Sequence, residues 1–267
     1  MGGALVQALV ESGTPVTALA RTEVAARRLH DAGAKVVIGD IGESLRWEHA
    51  AREAEVIFHL GLPRLTPPLR SRHIRKFERE ASAGTQIVRE IADGRDLVMA
   101  TCAIRSAEGP LDIARPGLAA ESALEGAPGA RIVRLPWAYG TSGFICDISR
   151  GLQMRRYRIV GPGDNRLVLV GARDAARALI AAASSPDGTY TVAEESGPTQ
   201  VELVHHMCIT RGVPRPDHLP PRMASLSMGG VAVQAVMAEQ RVDIAPPPGF
   251  TLTQTWQTHL MEALAGG

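Results

Sequence analysis

The first residues of the chain constrain its fold more than any other segment. Met1, Gly2 and Gly3 precede a stretch, 4–12, whose composition fits a helix. In a turn of the form G-x-G-x-x-G, the last glycine lets a helix pack closely on the strand before it. The earlier glycines bring backbone N–H groups to the pyrophosphate of a dinucleotide. Gly2 fits the last glycine of such a turn, and no residues remain for the first strand or the phosphate loop.

The segments that follow continue an α/β pattern. Apolar runs at 15–21, 35–40 and 55–61 are separated by stretches of helical composition such as 24–31. Such runs are typical of buried parallel strands joined by crossover helices. The sequence therefore predicts a doubly wound parallel α/β sheet whose first strand is missing from this chain. In this topology the first strand lies between the second and the fourth.

The missing strand has an energetic consequence. Its loss removes ladder partners from roughly ten backbone groups, at about 1–3 kcal/mol for each group left buried and unpaired. This sum matches or exceeds the stability of a whole domain, about 5–15 kcal/mol. Either the functional protein starts about a dozen residues earlier, or the chain closes the gap otherwise and binds its nucleotide poorly. We favour the earlier start, because Met1 stands where an apolar residue normally precedes the final glycine.

Composition narrows the class of protein. A chain of 267 residues can bury a sizeable core, and its net charge of +1 gives no electrostatic case for nucleic acid or a membrane surface. The Arg-rich segment 70–79 is interpreted as a solvated helix face. Cys102, Cys146 and Cys208 lack C-x-x-C spacing, which favours a reducing cytoplasm and no structural zinc. We therefore expect a cytoplasmic protein with no metal site, no signal peptide and no membrane span.

The order of the later motifs resembles the NAD-dependent epimerase/dehydratase family, the extended and atypical branch of the short-chain dehydrogenase/reductases. The motifs that carry the resemblance run over nearly the whole chain and lie at 2–3, 37–40, 56–61, 97–102, 132–140, 168–178 and 188–193. The resemblance implies a Rossmann-type dinucleotide-binding domain over 1–139 and 167–184. A small C-terminal substrate lobe would comprise 140–166 and 185–267, and the two would interleave in one compact unit.

Several residues are candidates for cofactor binding. Arg21 ends the second strand of the pattern, where an arginine pairs with a 2′-phosphate, so NADP is expected over NAD; an exposed arginine at a helix entry is an equal interpretation. The resemblance places Asp40 at the adenine, although a loop or cap aspartate would look the same. Gly61 permits close approach of a ribose. The full predicted set is Gly2, Gly3, Arg21, Asp40, Ile41, Leu60 and Gly61.

The family's usual catalytic pair is absent. Family enzymes carry Tyr-x-x-x-Lys on a helix, where the lysine lowers the pKa of the tyrosine. In this sequence Ile113 and Gly117 occupy those places, and Pro116 is expected to disturb the preceding helical turn. Thr101 fits the family's substrate-orienting hydroxyl and is the catalytic candidate, with Tyr139 a weaker one. His59 is interpreted as a satisfied core histidine.

Two residues of the lobe are candidates for substrate contact. Tyr139 begins a turn that opens the family's substrate pocket, although a half-buried aromatic with a locally satisfied hydroxyl is the favoured interpretation. Arg166 lies in a turn-rich loop and could pair with a phosphate. His205 and His206 are adjacent on a helical stretch and point to different faces, which argues against a metal site.

These observations lead to one functional hypothesis and two rivals. We expect an NADP-preferring, atypical oxidoreductase or isomerase that acts on a small metabolite or nucleotide sugar without the Tyr/Lys pair. One rival is a non-catalytic NAD(P)-binding sensor or interaction protein. The other is a truncated product that binds no cofactor. A homodimer is expected by analogy with the family only.

Overall fold

The computed structural model describes residues 1–102 and 104–265. The helices are α1 (Gly2–Glu11), α2 (Glu23–Asp31), α3 (Glu48–Glu53), α4 (Ser71–Ala92), α5 (Arg115–Ala123), α6 (Phe144–Gln153), α7 (Ala172–Ala183), α8 (Gln200–Arg211), α9 (Pro221–Met228), α10 (Gly230–Met237) and α11 (Trp256–Ala265). The strands are β1 (Thr17–Ala20), β2 (Lys35–Ile38), β3 (Val56–His59), β4 (Asp96–Cys102), β5 (Arg105–Ser106), β6 (Gly109–Pro110), β7 (Ala130–Leu135), β8 (Trp137–Tyr139), β9 (Ile159–Val160), β10 (Leu169–Gly171), β11 (Gly188–Thr191) and β12 (His218–Leu219).

Two parallel sheets make up the α/β unit, and two short parallel pairs, β8-β10 and β9-β12, are separate from them. The larger has the order β11-β7-β4-β3, and the smaller is the pair β1-β2. The prediction of a parallel α/β sheet is confirmed. In doubly wound order the first strand would stand between β1 and β3, which is where the hydrogen-bonded ladder is interrupted. We call this interruption the gap.

Helices cover both faces of the larger sheet. On one face, α1 and α7 pack through Leu5 and Leu179 against Val98 and Val133 of the central strands. On the other face, α4 and α5 form a cluster with Trp47, to which the smaller sheet contributes Leu19 and Val37. The two sheets therefore share one apolar layer, which holds them in the same α/β unit.

A second core lies in the C-terminal part of the chain. It joins α6, α8 and α11 around buried residues such as Ile145, Leu203 and Leu260. The predicted interleaved division into two domains stays a prediction. Strand β11, which that division places in the lobe, pairs with β7 in the larger sheet. The segment Ala172–Ala183 packs on that sheet as helix α7.

Local sequence signals explain where two of the helices begin. Thr22 caps α2, because its Oγ1 accepts a hydrogen bond from Ala25 N at 3.2 Å. Thr199 and Glu202 form a reciprocal capping box at the start of α8. Among the described residues, none of the helices combines the length and apolar composition needed to traverse a lipid bilayer.

Candidate functional site

The predicted cofactor residues follow the carboxyl ends of three parallel strands. Arg21 follows β1, Asp40 and Ile41 follow β2, and Leu60 and Gly61 follow β3. The carboxyl ends of parallel strands meet at one edge of a sheet, and ligands of doubly wound folds bind there, at the point where strand order reverses. The gap lies at this reversal, so the candidate site and the gap occupy the same region of the fold.

Gly2 and Gly3 form the first turn of α1. A Cβ atom built on either residue would meet nothing within 4 Å. The close helix–strand packing that would require a glycine here is therefore not seen among the described residues. The first turn still presents backbone N–H groups, which helices leave without intrahelical partners.

Arg21 and Asp40 differ in how they are engaged. Arg21 is exposed and makes no hydrogen bond or ion pair with the residues that the structure describes. Asp40 is exposed and shapes its own loop, since its Oδ1 accepts from Gly42 N at 3.2 Å and its carbonyl accepts from Trp47 Nε1 at 3.2 Å. Arg21 is thus free to meet an anion, whereas Asp40 already has a local structural role.

Ile41 and Gly61 are brought into contact across the gap-side edge. A Cβ on Gly61 would overlap Cδ1 of Ile41, and a Cβ on Gly84 would lie 3.2 Å from its Cγ2. A side chain at position 61 would therefore fit only if the Ile41 side chain moved. A ribose approaching Gly61 would have to displace this side chain.

Thr101 is held in a buried polar network. Its Oγ1 donates to Glu121 Oε1 at 2.6 Å, and Glu121 Oε2 accepts from Arg134 Nη2 at 2.5 Å. The hydrogen bond to Glu121 raises the pKa of the Arg134 guanidinium. Because the Thr101 hydroxyl donates its proton to Glu121, Thr101 Oγ1 can only accept a hydrogen bond from a substrate.

The region expected to carry the Tyr/Lys pair is divided between two elements. Ile113 lies in a 3-10 turn, Asp112–Ala114, and is buried, whereas Gly117 lies in α5. The turn that precedes Pro116 is a 3-10 turn outside α5, so the structure does not contradict the expectation of a disturbed turn there. Pro116 stands in the first turn of α5, where its missing N–H costs no hydrogen bond. A Cβ on Gly117 would lie 3.3 Å from Cys102 N, so this glycine lets α5 approach β4 closely.

The side chain of Ile113 has an apolar environment. It packs with Leu69, Ile104, Leu111 and Val231 in one buried cluster. This cluster joins the loop after β3 to α10.

Two ionisable residues near the strand ends are neutral at ordinary pH. His59 is buried at the end of β3, where its Nε2 lies 3.0 Å from Thr85 Oγ1, and burial lowers its pKa to about 4. These contacts agree with the interpretation of a satisfied core histidine. Burial raises the pKa of the Cys102 thiol to about 11, which makes it a poor nucleophile.

Tyr139 is fully buried rather than half-buried. Its hydroxyl has no hydrogen bond of good geometry among the described residues, although it lies next to Glu194. Burial, reinforced by Glu194, raises the pKa of Tyr139, and burial also raises the pKa of Glu194. The expectation of a locally satisfied hydroxyl is therefore wrong. The proposed substrate contact stays a prediction.

Arg166 lies away from the strand ends. It lines a cleft of about 490 Å³ together with Glu202, His206 and Trp256. Its Nη1 donates to Gly197 O at 3.1 Å. The structure does not bring Arg166 together with Thr101 or Gly61 in this cleft.

Sequence reasoning missed the roles of Glu121 and Arg134. Neither residue is among the site residues predicted from the sequence. A buried carboxylate facing the strand that bears Thr101 requires a cation, and Arg134 in the neighbouring strand β7 is in register with Thr101. That pairing could have been anticipated only from the strand order.

No protein-family model and no curated protein sequence matches the chain. Solved structures do match it over nearly its full length. MoeE5 in complex with UDP-glucose and NAD is 19% identical, with a TM-score of 0.75 over 99% of this chain and 94% of that one. Human epimerase family protein SDR39U1 with NADPH is 15% identical, with a TM-score of 0.77 over 100% and 96%.

A third structure is similar to the same extent. The Helicobacter pylori ADP-L-glycero-D-manno-heptose-6-epimerase is 13% identical, with a TM-score of 0.76 over 99% of this chain and 92% of that one. This chain therefore has the Rossmann-type fold of NAD-dependent epimerases and dehydratases. The predicted resemblance is confirmed at the level of the fold.

Proposed function

We propose that this protein binds NADP, or NAD, at the carboxyl edge of its split sheet. It would act as an atypical epimerase/dehydratase-type oxidoreductase or isomerase on a nucleotide sugar or another small metabolite. The observation that carries the proposal is the placement of Arg21, Asp40, Ile41 and Gly61 after successive strands. Similar structures are described with NAD or NADPH and with UDP-sugars, which supports the same ligand classes here.

The residues present fit the adenosine half of such a cofactor. Arg21 is exposed and free to pair with a 2′-phosphate. The first turn of α1 offers N–H groups to a phosphate. Asp40 and Ile41 would border the adenine, with Ile41 moving off Gly61 to admit the ribose. When bound, the nicotinamide supplies hydride transfer.

The protein's own residues would do limited chemistry. Thr101 would accept a hydrogen bond from a substrate hydroxyl, because its proton is held by Glu121 at 2.6 Å. Ile113 and Gly117 cannot donate or accept a proton. The usual tyrosine relay is therefore not part of the proposed mechanism, and orientation of the substrate is the main task left to the chain.

A second function is favoured by the same site. Ile113 is buried in an apolar cluster and the Thr101 proton is already used. Both features suit a protein that binds a nicotinamide cofactor without turning it over, as a sensor or interaction module. The three free cysteines support a cytoplasmic location, which is compatible with both proposed functions. A homodimer is supported by analogy only.

Calorimetry with NADPH and NADH tests the cofactor proposal. Arg21→Ala should weaken NADPH binding by about tenfold and leave NADH binding nearly unchanged, because only NADPH carries the 2′-phosphate. Arg28→Ala is the matched control, since Arg28 is an exposed arginine in the adjoining helix. Equal weakening of both cofactors, or no binding of either, would contradict the proposal.

Turnover separates the two candidate functions. Incubation with NADPH and a panel of carbonyl compounds and nucleotide sugars should give cofactor-dependent conversion if the protein is an enzyme. Tight NADPH binding with no conversion across the panel would favour the non-catalytic function.

A further inference from the structure

Three buried side chains bring oxygen atoms together at the end of the strand pair β8-β10. Tyr139 and Gly171 are in register in this pair. A Cβ atom on Gly171 would overlap Gln254 Oε1 and would lie 3.1 Å from the Tyr139 hydroxyl oxygen. Glu194 lies next to the same hydroxyl. We call Tyr139, Glu194 and Gln254 the oxygen cluster; their exposed fractions are 0%, 7% and 8%.

Each member of the oxygen cluster has an atom left over. The Tyr139 hydroxyl, Glu194 Oε1 and Gln254 Oε1 are buried and have no hydrogen-bond partner among the residues that the structure describes. Buried polar atoms in folded proteins are normally paired, because water is no longer there to satisfy them. Three such atoms in one place indicate a shared partner that is not a side chain of this cluster.

The cluster is held in position by bonds made elsewhere in the same residues. Glu194 Oε2 accepts a hydrogen bond from Trp256 N at 2.9 Å, at the start of α11. Gln254 N donates to Asp174 Oδ2 at 2.8 Å. The segment before α11 is therefore tied to α7 and to the chain that follows β11. The free oxygens of Glu194 and Gln254 are fixed by these ties.

The charges around the cluster do not balance. Two buried carboxylates lie here, Asp174 and Glu194. Asp174 Oδ1 accepts from Arg177 Nη1 at 2.7 Å, so its charge is paired. Within the described part of the chain, Glu194 makes no such ion pair. A buried carboxylate without a counter-charge is unfavourable, and one positive charge would compensate it.

The donor set indicates the kind of ion. A carboxylate, an amide carbonyl and a phenol offer only oxygen, which hard cations prefer to the sulfur and nitrogen ligands of transition metals. Only one unpaired carboxylate is present, and it neutralises a single positive charge. The oxygen cluster is therefore suited to a monovalent cation.

We propose that Tyr139, Glu194 and Gln254 form a binding site for a monovalent alkali cation, K⁺ or Na⁺. The ion bridges the pair β8-β10 and the segment before α11, and it helps to fix α11 on the second core. The inference uses none of the residues of the proposed cofactor site and is independent of the proposed function.

Thermal unfolding of the full chain tests the inference. The melting temperature is measured at constant ionic strength in the acetates of potassium, sodium and tetramethylammonium, the last being too large for such a site. A cation that binds only the folded protein stabilises it, so potassium or sodium should raise the melting temperature by about 3–5 °C over tetramethylammonium. The alkali ion with the larger shift is the preferred occupant.

Two adjacent glutamates provide a matched pair of variants. Glu194→Gln keeps the shape of the side chain and removes its charge, so the shift should fall below about 1 °C. Glu195→Gln makes the same change at the exposed neighbouring position and should keep the full shift.

A second measurement uses the unaltered protein, in case Glu194→Gln does not fold. Crystals soaked in thallium(I) acetate should show an anomalous peak between Glu194 Oε1 and Gln254 Oε1, because Tl⁺ replaces K⁺ at oxygen sites.

Three results would overturn the inference. Equal melting temperatures in the three salts would mean that water, or a proton on Glu194, satisfies the cluster. Equal shifts in the two glutamate variants would place the ion elsewhere. Thallium peaks confined to the protein surface would show an adventitious ion only.

Discussion

The two sheets of this protein differ in how completely they exclude water. In the larger sheet, Val98 and Met99 of β4 are 0% exposed, because strands lie on both sides and helices on both faces. In the smaller sheet, Ile38 is 48% exposed and Thr17 and Lys35 are exposed as well. A strand with one partner buries only part of its surface, even when its sequence is as apolar as that of a central strand.

This difference assigns separate tasks to the two sheets. The larger sheet buries Thr101 in the core, where it donates a hydrogen bond to Glu121 of α5. The smaller sheet carries Arg21 and Asp40, the residues expected to recognise the cofactor, on its exposed carboxyl edge. The candidate site therefore joins a buried sheet to a more exposed one, and we expect ligand binding to depend on how well the exposed sheet is ordered.

The largest expected effect comes from truncating the same residue type in each sheet. Leu97→Ala, in β4, should lower the free energy of unfolding by about 2–5 kcal/mol, because Leu97 is buried at the centre of a packed cluster. Leu19→Ala, in half-buried β1, should cost about 1 kcal/mol, since less apolar area is lost. Urea denaturation measures both. Equal losses would mean that the smaller sheet is packed as well as the larger one.

The next effect concerns the edge strand β3. His59 has a pKa lowered to about 4 in the folded protein, against an ordinary value near 6.5. Between about pH 4 and pH 6.5 the unfolded chain therefore binds more protons than the folded protein does. Stability should be full above about pH 6.5 and fall by about 3 kcal/mol as the pH drops to about 4.

Paired histidine variants isolate this pH dependence. His59→Gln should flatten the decline in unfolding free energy between those pH values, whereas His30→Gln, at an exposed histidine in α2, should leave it intact. If the unfolding free energy of His59→Gln declined as in the unaltered protein, water would reach the side chain at position 59 more than its burial indicates.

A smaller effect is expected from the Thr101 hydroxyl. Thr101→Val keeps the side-chain shape and removes the hydrogen bond to Glu121, which should destabilise the protein by about 1 kcal/mol. Thr189→Val, at an exposed position of β11, should change stability by less than about 0.5 kcal/mol. Thermal unfolding compares the two. A neutral Thr101→Val would argue that the hydroxyl serves a ligand and not the fold.

The smallest effect tests the helix attached to the smaller sheet. Thr22→Ala removes the N-cap of α2 and should cost about 0.5–1 kcal/mol. Hydrogen exchange should show the loss as faster exchange in α2 and β2, with β4 unchanged. Thr210→Ala, near the end of α8, serves as an exposed control. Equal acceleration in β4 would mean that the two sheets unfold together.

Much of the fold could be predicted from local pattern. The apolar runs at 15–21, 35–40 and 55–61 contain β1, β2 and β3, and the stretch 4–12 lies largely in α1. These elements follow from side-chain periodicity, which depends on neighbours in sequence. The position of the gap also followed from strand order in the doubly wound topology.

The candidate site was less predictable, because its contacts join residues far apart in the chain. Thr101 was found because it matches the family's substrate-orienting hydroxyl at a strand end, whereas its hydrogen bond to Glu121 depends on how α5 packs on β4. The burial of the Tyr139 hydroxyl depends on Glu194 and on the packing of the lobe. Nothing in the local sequence around Pro116 distinguishes a broken helix from a helix that starts there.

The sequence by itself determined that this chain forms parallel strands and crossover helices, and that Ile113 and Gly117 cannot relay a proton. Those properties belong to single residues and to short apolar patterns. Only the tertiary structure decided that the sheet divides into two unequal halves and that Ile41 closes on Gly61. It also decided that the Thr101 hydroxyl donates its hydrogen bond to Glu121. Each of these depends on which distant groups share a buried space, where an unpaired polar atom or a void is costly.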